Sequence, residues 1–250
     1  MKSIVITSAL RTGIGSLGKS LKNVNADELG ACVISNSIIK SNLKKDDIDE
    51  IIMGQVLTGA MGQNPARQAA IKSGIPKEKP AYTINQVCGS GMRSIVSGFQ
   101  SIKSNDSKII IAGGQENMSL APHAVHLRDG GKIRDADLID TMIKDGLWDA
   151  FNGYHMGVTA ENIAEKFQIS RDEQDKFALK SVEKTLKAKK ENKFQNEIVN
   201  LKIKSKNKEI NFNEDEHPRH DVNLESLSKL KPVFKSDGTV TAGNASGIND

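Results

Sequence analysis

The chain has 250 residues, 37% of them hydrophobic, which suffices for one large α/β unit or two ordinary domains and argues against a low-complexity chain. Lysine and arginine number 35 against 31 acidic residues, and the net charge of +4 is too slight for a nucleic-acid footprint. Aromatics at 4% leave little for base-stacking platforms.

The N-terminal MKSIVITSALRTG holds an apolar run that polar residues interrupt before a signal-peptide core is complete, and no stretch has the length of a membrane span. Cys32 and Cys88 lie far apart, so a reducing, cytoplasmic setting without a disulfide is expected. Residues 2–7, KSIVIT, are β-branched and apolar enough to predict a buried first strand. A helix over 25–41 follows, entered through Asn25 and Asp27, with Cys32 on its apolar side beside Leu29, Val33 and Ile34. Residues 48–56 predict a second strand. The loop GAMGQ then delivers Asn64 as N-cap and Pro65 at the first position of a helix that stops at Gly74. A third strand is expected at 81–85. Met92, Ile95, Val96, Phe99 and Ile102 recur at helical spacing, and 108–112 predict a fourth strand ending in Gly113-Gly114.

Strands alternating with helices over the first 115 or so residues predict an open α/β sheet of βαβ units. From Glu116 to about Gly157 the chain turns rich in Met, His, Gly and charge, as in a long functional excursion. Ser170 to Glu173 form a capping box that opens a charged helix to about Glu191. The stretches KTLKAKKENK and KIKSKNK read as solvated surface, with attraction of a phosphate-bearing ligand as the alternative. The final GTVTAGNASGIND is nearly all small residues and suits a backbone lying close to a ligand.

Two motifs fail on their context. Gly13 to Gly18 match G-x-G-x-x-G after a predicted strand, yet no helix opens at the third glycine and no acid-tipped second strand follows at the right distance, so a loop is expected. His123 and His126, and His217 and His220, are each three apart, but Pro218 breaks helical geometry in the second pair and neither has a cysteine nearby; no metal is expected.

The segment INQVCGSG is different. Strand, turn and helix place the Cys88 sulfur at a helix N-terminus, while Gly89 and Gly91 keep the turn bare and permit the sharp geometry of a nucleophile elbow. A charge at a helix end gains only about 0.3 to 2 kcal/mol, which by itself leaves the nucleophile incompletely activated.

Here the chain resembles the thiolase family. NQVCGSGMRSI is similar to that family's nucleophile motif, AGGQENMS to its strand-end segment, and YHMGVTAEN, RDEQDKFA and GTVTAGNASGIND to further stretches in the same order. GQNPARQAA, TMIKDGLWDAF and YHMG are most similar to the biosynthetic branch, which forms acetoacetyl-CoA. The resemblance implies an α/β fold with a thiolase-like βαβ sheet domain at 1–116 and an inserted CoA-binding and tetramerisation loop domain at 117–250. It implies that the Cys88 thiolate attacks acetyl-CoA and that a second acetyl-CoA takes the acyl group in a Claisen condensation. It further implies that Leu147, His155, Met156, Phe234, Ala242 and Ser246 line the pantetheine and thioester channel, that Arg219 approaches the nucleotide end, and that HLRDGGKIRD forms a tetramer loop. Coenzyme A thioesters enter as substrates, and no other cofactor is expected.

The family's second sheet domain, with its Gly-His-Pro histidine and Cys-x-Gly-Gly cysteine, has no counterpart in these 250 residues. The expectation is therefore an N-terminal half that is incomplete alone, with a complementary C-terminal half as possible partner and a homo-oligomer as the complete enzyme. A degradative 3-ketoacyl-CoA thiolase and a noncatalytic CoA-binding or assembly subunit remain the alternatives.

Overall fold

The structure, a computed structural model, describes residues 3–127, 137–205 and 208–250. Its centre is a parallel three-stranded sheet in which β1 (Glu50–Gly54) lies between β2 (Ala81–Ile84) and β3 (Ile110–Gly114). Ile51, Ile52 and Met53 are all buried, the continuous apolar run of a strand covered on both faces. Alternation then sorts the side chains. Ile51 and Met53 join Ile34, Ile38, Ile48, Ala66, Ala69, Ala70 and Ile75 in a core under α1 (Ala26–Lys40) and α2 (Pro65–Lys72). The other face meets α3 (Ser90–Ser104), whose Gly98 lies against Ile110 and Ala112 of β3.

The helices begin where the capping residues stand. Asn25 and Glu28 form a capping box on α1, and Asn64 accepts from the Arg67 N–H with Pro65 at the first position of α2. Gly74 follows α2 at a φ of 83°, the left-handed stop that a glycine supplies. The outcome at α3 is less expected. Its buried residues are the small Ser90, Ser94 and Gly98, whereas Met92, Ile95, Val96 and Phe99 point outward, Met92 at 68% exposure.

The expected first strand is not formed. Residues 3–10 join no sheet, Val5 and Ile6 are 71% and 77% exposed, and the first backbone pairing among the described residues is at Arg11, whose N–H donates to the Glu197 carbonyl. β-propensity supplies side chains that suit a strand, but a strand also needs a neighbour's carbonyls and N–H groups, and no described edge meets this segment.

Past β3 the chain makes a two-residue ladder, β4 (His123–Ala124) with β5 (Ile139–Asp140), then a π-helical turn at Met142–Leu147. β6 (Trp148–Asp149) pairs antiparallel with β7 (Tyr154–His155), which runs directly into α4 (Met156–Lys166). α5 (Arg171–Lys190) starts at the expected Ser170–Glu173 capping box. A hairpin of β8 (Leu201–Ser205) and β9 (Lys208–Phe212) occupies the lysine-rich stretch expected to be mere surface. Leu201, Ile203 and Phe212 bury against Leu21 and Leu29 as a second core, with Cys32 packed beside it. α1 thus stands between two cores. The short α6 (Leu224–Ser228) follows, and Arg171 on α5 donates to its Leu227 carbonyl. No described helix is long and apolar enough to cross a membrane.

Candidate active site

Cys88 is exposed at the end of β2, with Gly89 as the N-cap of α3. The left-handed residue of the turn is Val87, at a φ of 50°; Gly89 has a φ of −86°. The glycines therefore do not carry the sharp geometry expected of them. Gly89 is needed for closeness instead, since a Cβ there would meet the Gln86 carbonyl at 3.3 Å, and Gly91 faces open space. Val87 is pinned from several sides: its N–H donates to Asn85 Oδ1 at 2.8 Å, and its carbonyl accepts from Ser90 Oγ at 2.6 Å and from the Ser90 N–H at 3.0 Å. A β-branched residue in the left-handed region is costly and persists where its surroundings over-determine it.

The floor beneath the turn is backbone. A Cβ on Gly54 would lie 2.4 Å from the Ser90 carbonyl carbon, so only glycine lets β1 end this close under the start of α3; at Gly114, the end of β3, a Cβ would stand in ordinary contact, 3.5 Å from the Gly91 Cα. Ser94 Oγ ties α3 to the Gly113 carbonyl at 2.7 Å. Glu116, just beyond β3, accepts from the Val56 N–H at 2.8 Å and from the Leu57 N–H at 3.3 Å. Burial pushes its carboxyl above the ordinary range, against the pull of those donors. Asn85 reaches the same loop through the Val56 carbonyl, so the strand ends and the Cys88 turn form one hydrogen-bonded unit.

Four of the residues implied as channel lining come together. The β6–β7 pairing sets Trp148 opposite His155, which brings Leu147 and Met156 to neighbouring positions at the ends of the two strands. His155 caps α4, its Nδ1 accepting from the Gly157 N–H at 3.0 Å, so a neutral ring carries its proton on Nε2. Its face stacks on Phe234, centroids 4.8 Å apart and planes 19° apart. Gly157 makes room, because a Cβ there would fall 2.3 Å from the Phe234 ring. The segment approaches the loop after β1 through Gly146, where a Cβ would stand 3.6 Å from Leu57 Cδ2. Ala242 and Ser246 are exposed, on the stretch after a hairpin closed by the Val233 N–H to Val240 carbonyl bond. Arg219 is exposed on an irregular segment, and no described contact joins it to the His155–Phe234 stack. The tetramer loop expected at HLRDGGKIRD lies outside the described residues from position 128 on.

Two further motifs acquire a structure. The loop at Gly13–Gly18 is strapped by carboxylates: Asp215 accepts from the Ile14 N–H at 2.9 Å and Glu216 from the Ser16 N–H at 3.0 Å. Those N–H groups are committed within the chain and are not offered to a phosphate. His217 packs on Gly247, where a Cβ would meet its ring at 2.3 Å, and among the described residues no group of three or more potential ligands could hold a metal. What the sequence reading passed over is Glu161. It is a charged residue on the same α4 stripe as Gly157 and Ala164, and a carboxylate spaced into a buried small-residue face was the available signal.

Residues 4–250 match the family model for the thiolase N-terminal domain. The chain is 52% identical to acetyl-CoA acetyltransferase of Rhizobium meliloti over 248 residues, covering 99% of this chain and 63% of that protein. The corresponding protein of Paracoccus denitrificans is 52% identical over 250 residues, covering 100% and 64%. The crystal structure of Bacillus anthracis acetyl-CoA acetyltransferase superposes with a TM-score of 0.95 at 41% identity, covering 98% of this chain and 62% of that one. The chain thus spans somewhat under two thirds of the length of the curated relatives it matches. With the Cys88 turn on the expected strand–helix junction and the family match running through nearly every residue, the chain belongs to the thiolase family.

Proposed function

We propose that this chain carries the acyl-accepting half of an acetyl-CoA C-acetyltransferase. The observation that supports this most is the exposed Cys88 at the N-terminus of α3, on a turn whose left-handed Val87 is fixed from three sides. The Cys88 thiolate adds to the thioester carbon of acetyl-CoA; the carbon–sulfur bond to coenzyme A breaks, CoA leaves as a thiolate that takes up a proton, and S-acetyl-Cys88 remains. In the second step another acetyl-CoA loses a proton from its methyl carbon, that carbon attacks the acetyl group, and the Cys88 thiolate departs as acetoacetyl-CoA forms. The helix end assists the thiolate by only about 0.3 to 2 kcal/mol, and among the described residues no side chain hydrogen-bonds the Cys88 sulfur. A base for the carbon acid must come from outside these residues.

The pantetheine arm would run past Leu147, His155, Met156 and Phe234, with Ala242 and Ser246 at the thioester end and Arg219 toward the nucleotide; residues 117–250 would serve as the CoA-binding loop domain. The exposed stripe of Met92, Ile95, Val96 and Phe99 is the surface we assign to a complementary thiolase half, and the complete assembly would be a homo-oligomer in a reducing, cytoplasmic setting. Intact mass after incubation with acetyl-CoA tests the first step. A single acetyl adduct that Cys88→Ser abolishes is expected, with no acetoacetyl-CoA formed by this chain alone. CoA binding without an adduct would favour a noncatalytic subunit.

A further inference from the structure

Glu161 lies one turn beyond Gly157 on α4 and is 4% exposed, and it faces backbone donors of the 232–241 hairpin, with no salt bridge among the described residues. Its two oxygens accept from the Thr239 N–H at 2.9 Å, from the Val240 N–H at 2.8 Å and from Thr239 Oγ1 at 3.0 Å. Gly238 passes so close that a Cβ there would fall 2.2 Å from Glu161 Oε1. Burial alone would raise this carboxyl, but the donors of Thr239 and Val240 outweigh it and hold it below the ordinary carboxylate range, with Lys235 adding a smaller attraction. One face of α4 thus grips the hairpin at two points, Phe234 over Gly157 and the Gly238–Val240 tip over Glu161.

We infer that Glu161 is a positioning residue: by capturing the Thr239 and Val240 N–H groups it fixes the hairpin on α4 and so sets the Phe234 ring against His155. This rests on the reading of His155 and Phe234 as channel walls for an acyl-CoA. The hairpin has a second tether that does not involve Glu161. Asn244 Nδ2 donates to Asp175 Oδ1 at 2.9 Å and to the Thr239 carbonyl at 3.1 Å, and Arg171 Nε holds Asp175 at 2.8 Å. Neutralising Glu161 therefore displaces the hairpin without releasing it. Glutamine has the same shape but turns an NH2 toward the backbone donors that the second oxygen accepted.

The test compares wild type, Glu161→Gln and the milder Thr239→Val in three measurements. They are the acetyl-CoA concentration for half-maximal acetylation of Cys88, the rate of Cys88 alkylation by iodoacetamide, and the NMR shifts of the His155 ring protons, which a stacked Phe234 displaces upfield. For Glu161→Gln, loss of one charge-assisted hydrogen bond is expected to raise the half-saturating concentration about tenfold. Thr239→Val, which keeps both backbone donors to Glu161 and removes the hydroxyl that donates to Glu161 and accepts from Gln174 Nε2 at 2.9 Å, is expected to raise it about threefold. Iodoacetamide, too small to need the channel, should react within about twofold of the wild-type rate. The His155 shifts should move toward those of an exposed imidazole. Unchanged half-saturation together with unchanged His155 shifts overturns the inference. So does a parallel fall in acetylation and alkylation with loss of cooperative unfolding in both variants, the mark of a general scaffold role. If wild-type Cys88 takes no acetyl group, the acyl-transfer reading fails, and the His155 shifts alone decide the positioning role.

Discussion

Val87 sits at a φ of 50°, beside Cys88, and its Cβ branching makes that conformation expensive. Such strain costs about 1 to 3 kcal/mol, whereas a glycine at the same place would lose about 0.5 to 1 kcal/mol through greater freedom in the unfolded chain. Strain is the larger quantity, so Val87→Gly is expected to stabilise the chain by about 1 kcal/mol, read as a higher urea midpoint at constant m-value. A midpoint at or below that of wild type would show that the turn stores no strain. The same variant should acetylate more slowly from acetyl-CoA, because the turn would lose its single conformation. The sequence pointed to Cys88 and its helix end, because strand propensity, glycines and helical spacing are all local. It also assigned the sharp backbone to Gly89 and Gly91, by composition. The assignment failed because the hydrogen bonds that Val87 donates to Asn85 and accepts from Ser90, and not the side-chain type, decide which residue turns left-handed.

At the scale of elements, the loop at Gly13–Gly18 depends on two carboxylates some 200 residues away. Asp215 takes the Arg11 guanidinium at 2.7 and 2.9 Å and the Ile14 N–H; Glu216 takes the Ser20 hydroxyl at 2.6 Å and the Ser16 N–H. Burial would raise both carboxyls, but Arg11 and Ile14 in one case and Ser20 and Ser16 in the other outweigh it and hold both below the ordinary range. A carboxyl lowered in the folded state contributes stability that is complete above its unfolded value and lost as pH falls through the folded one. Amide protection factors over residues 14–20 are therefore expected to fall as the pH drops below the ordinary carboxylate range, ahead of β1. Asp215→Asn should bring much of that loss to neutral pH; protection that stays flat in both experiments would refute the latch. This contact was illegible in the sequence, as long-range ion pairs are. The hairpin β8–β9 was legible and overlooked: LKIKS alternates buried Leu201 and Ile203 with lysines, a period of two that the count of lysines concealed. Residues 3–10 err in the opposite direction, with strand-like composition and no strand, since pairing is decided by an edge elsewhere in the chain.

Taken whole, the described residues bury two cores and leave the apolar outer face of α3 uncovered. Met92, Ile95, Val96 and Phe99 form a contiguous outward stripe on α3, a kind of patch that marks an interaction surface or an association hazard. The isolated chain is expected to self-associate at micromolar concentration in sedimentation velocity. Replacing Ile95 by Lys and Phe99 by Glu should make it monodisperse while shifting unfolding stability by no more than about 0.5 kcal/mol, as befits surface sites. Association that persists in the double variant would place the sticky surface elsewhere. α3 has 15 residues, about 22 Å of nearly rigid rod, with the sulfur at one end and the stripe beginning four residues later. A partner docked on that stripe would lean on the same shaft that carries the thiol. Docking there and the aim of the sulfur would then vary together, because a change that loosens the grip on one end of α3 is felt at the other.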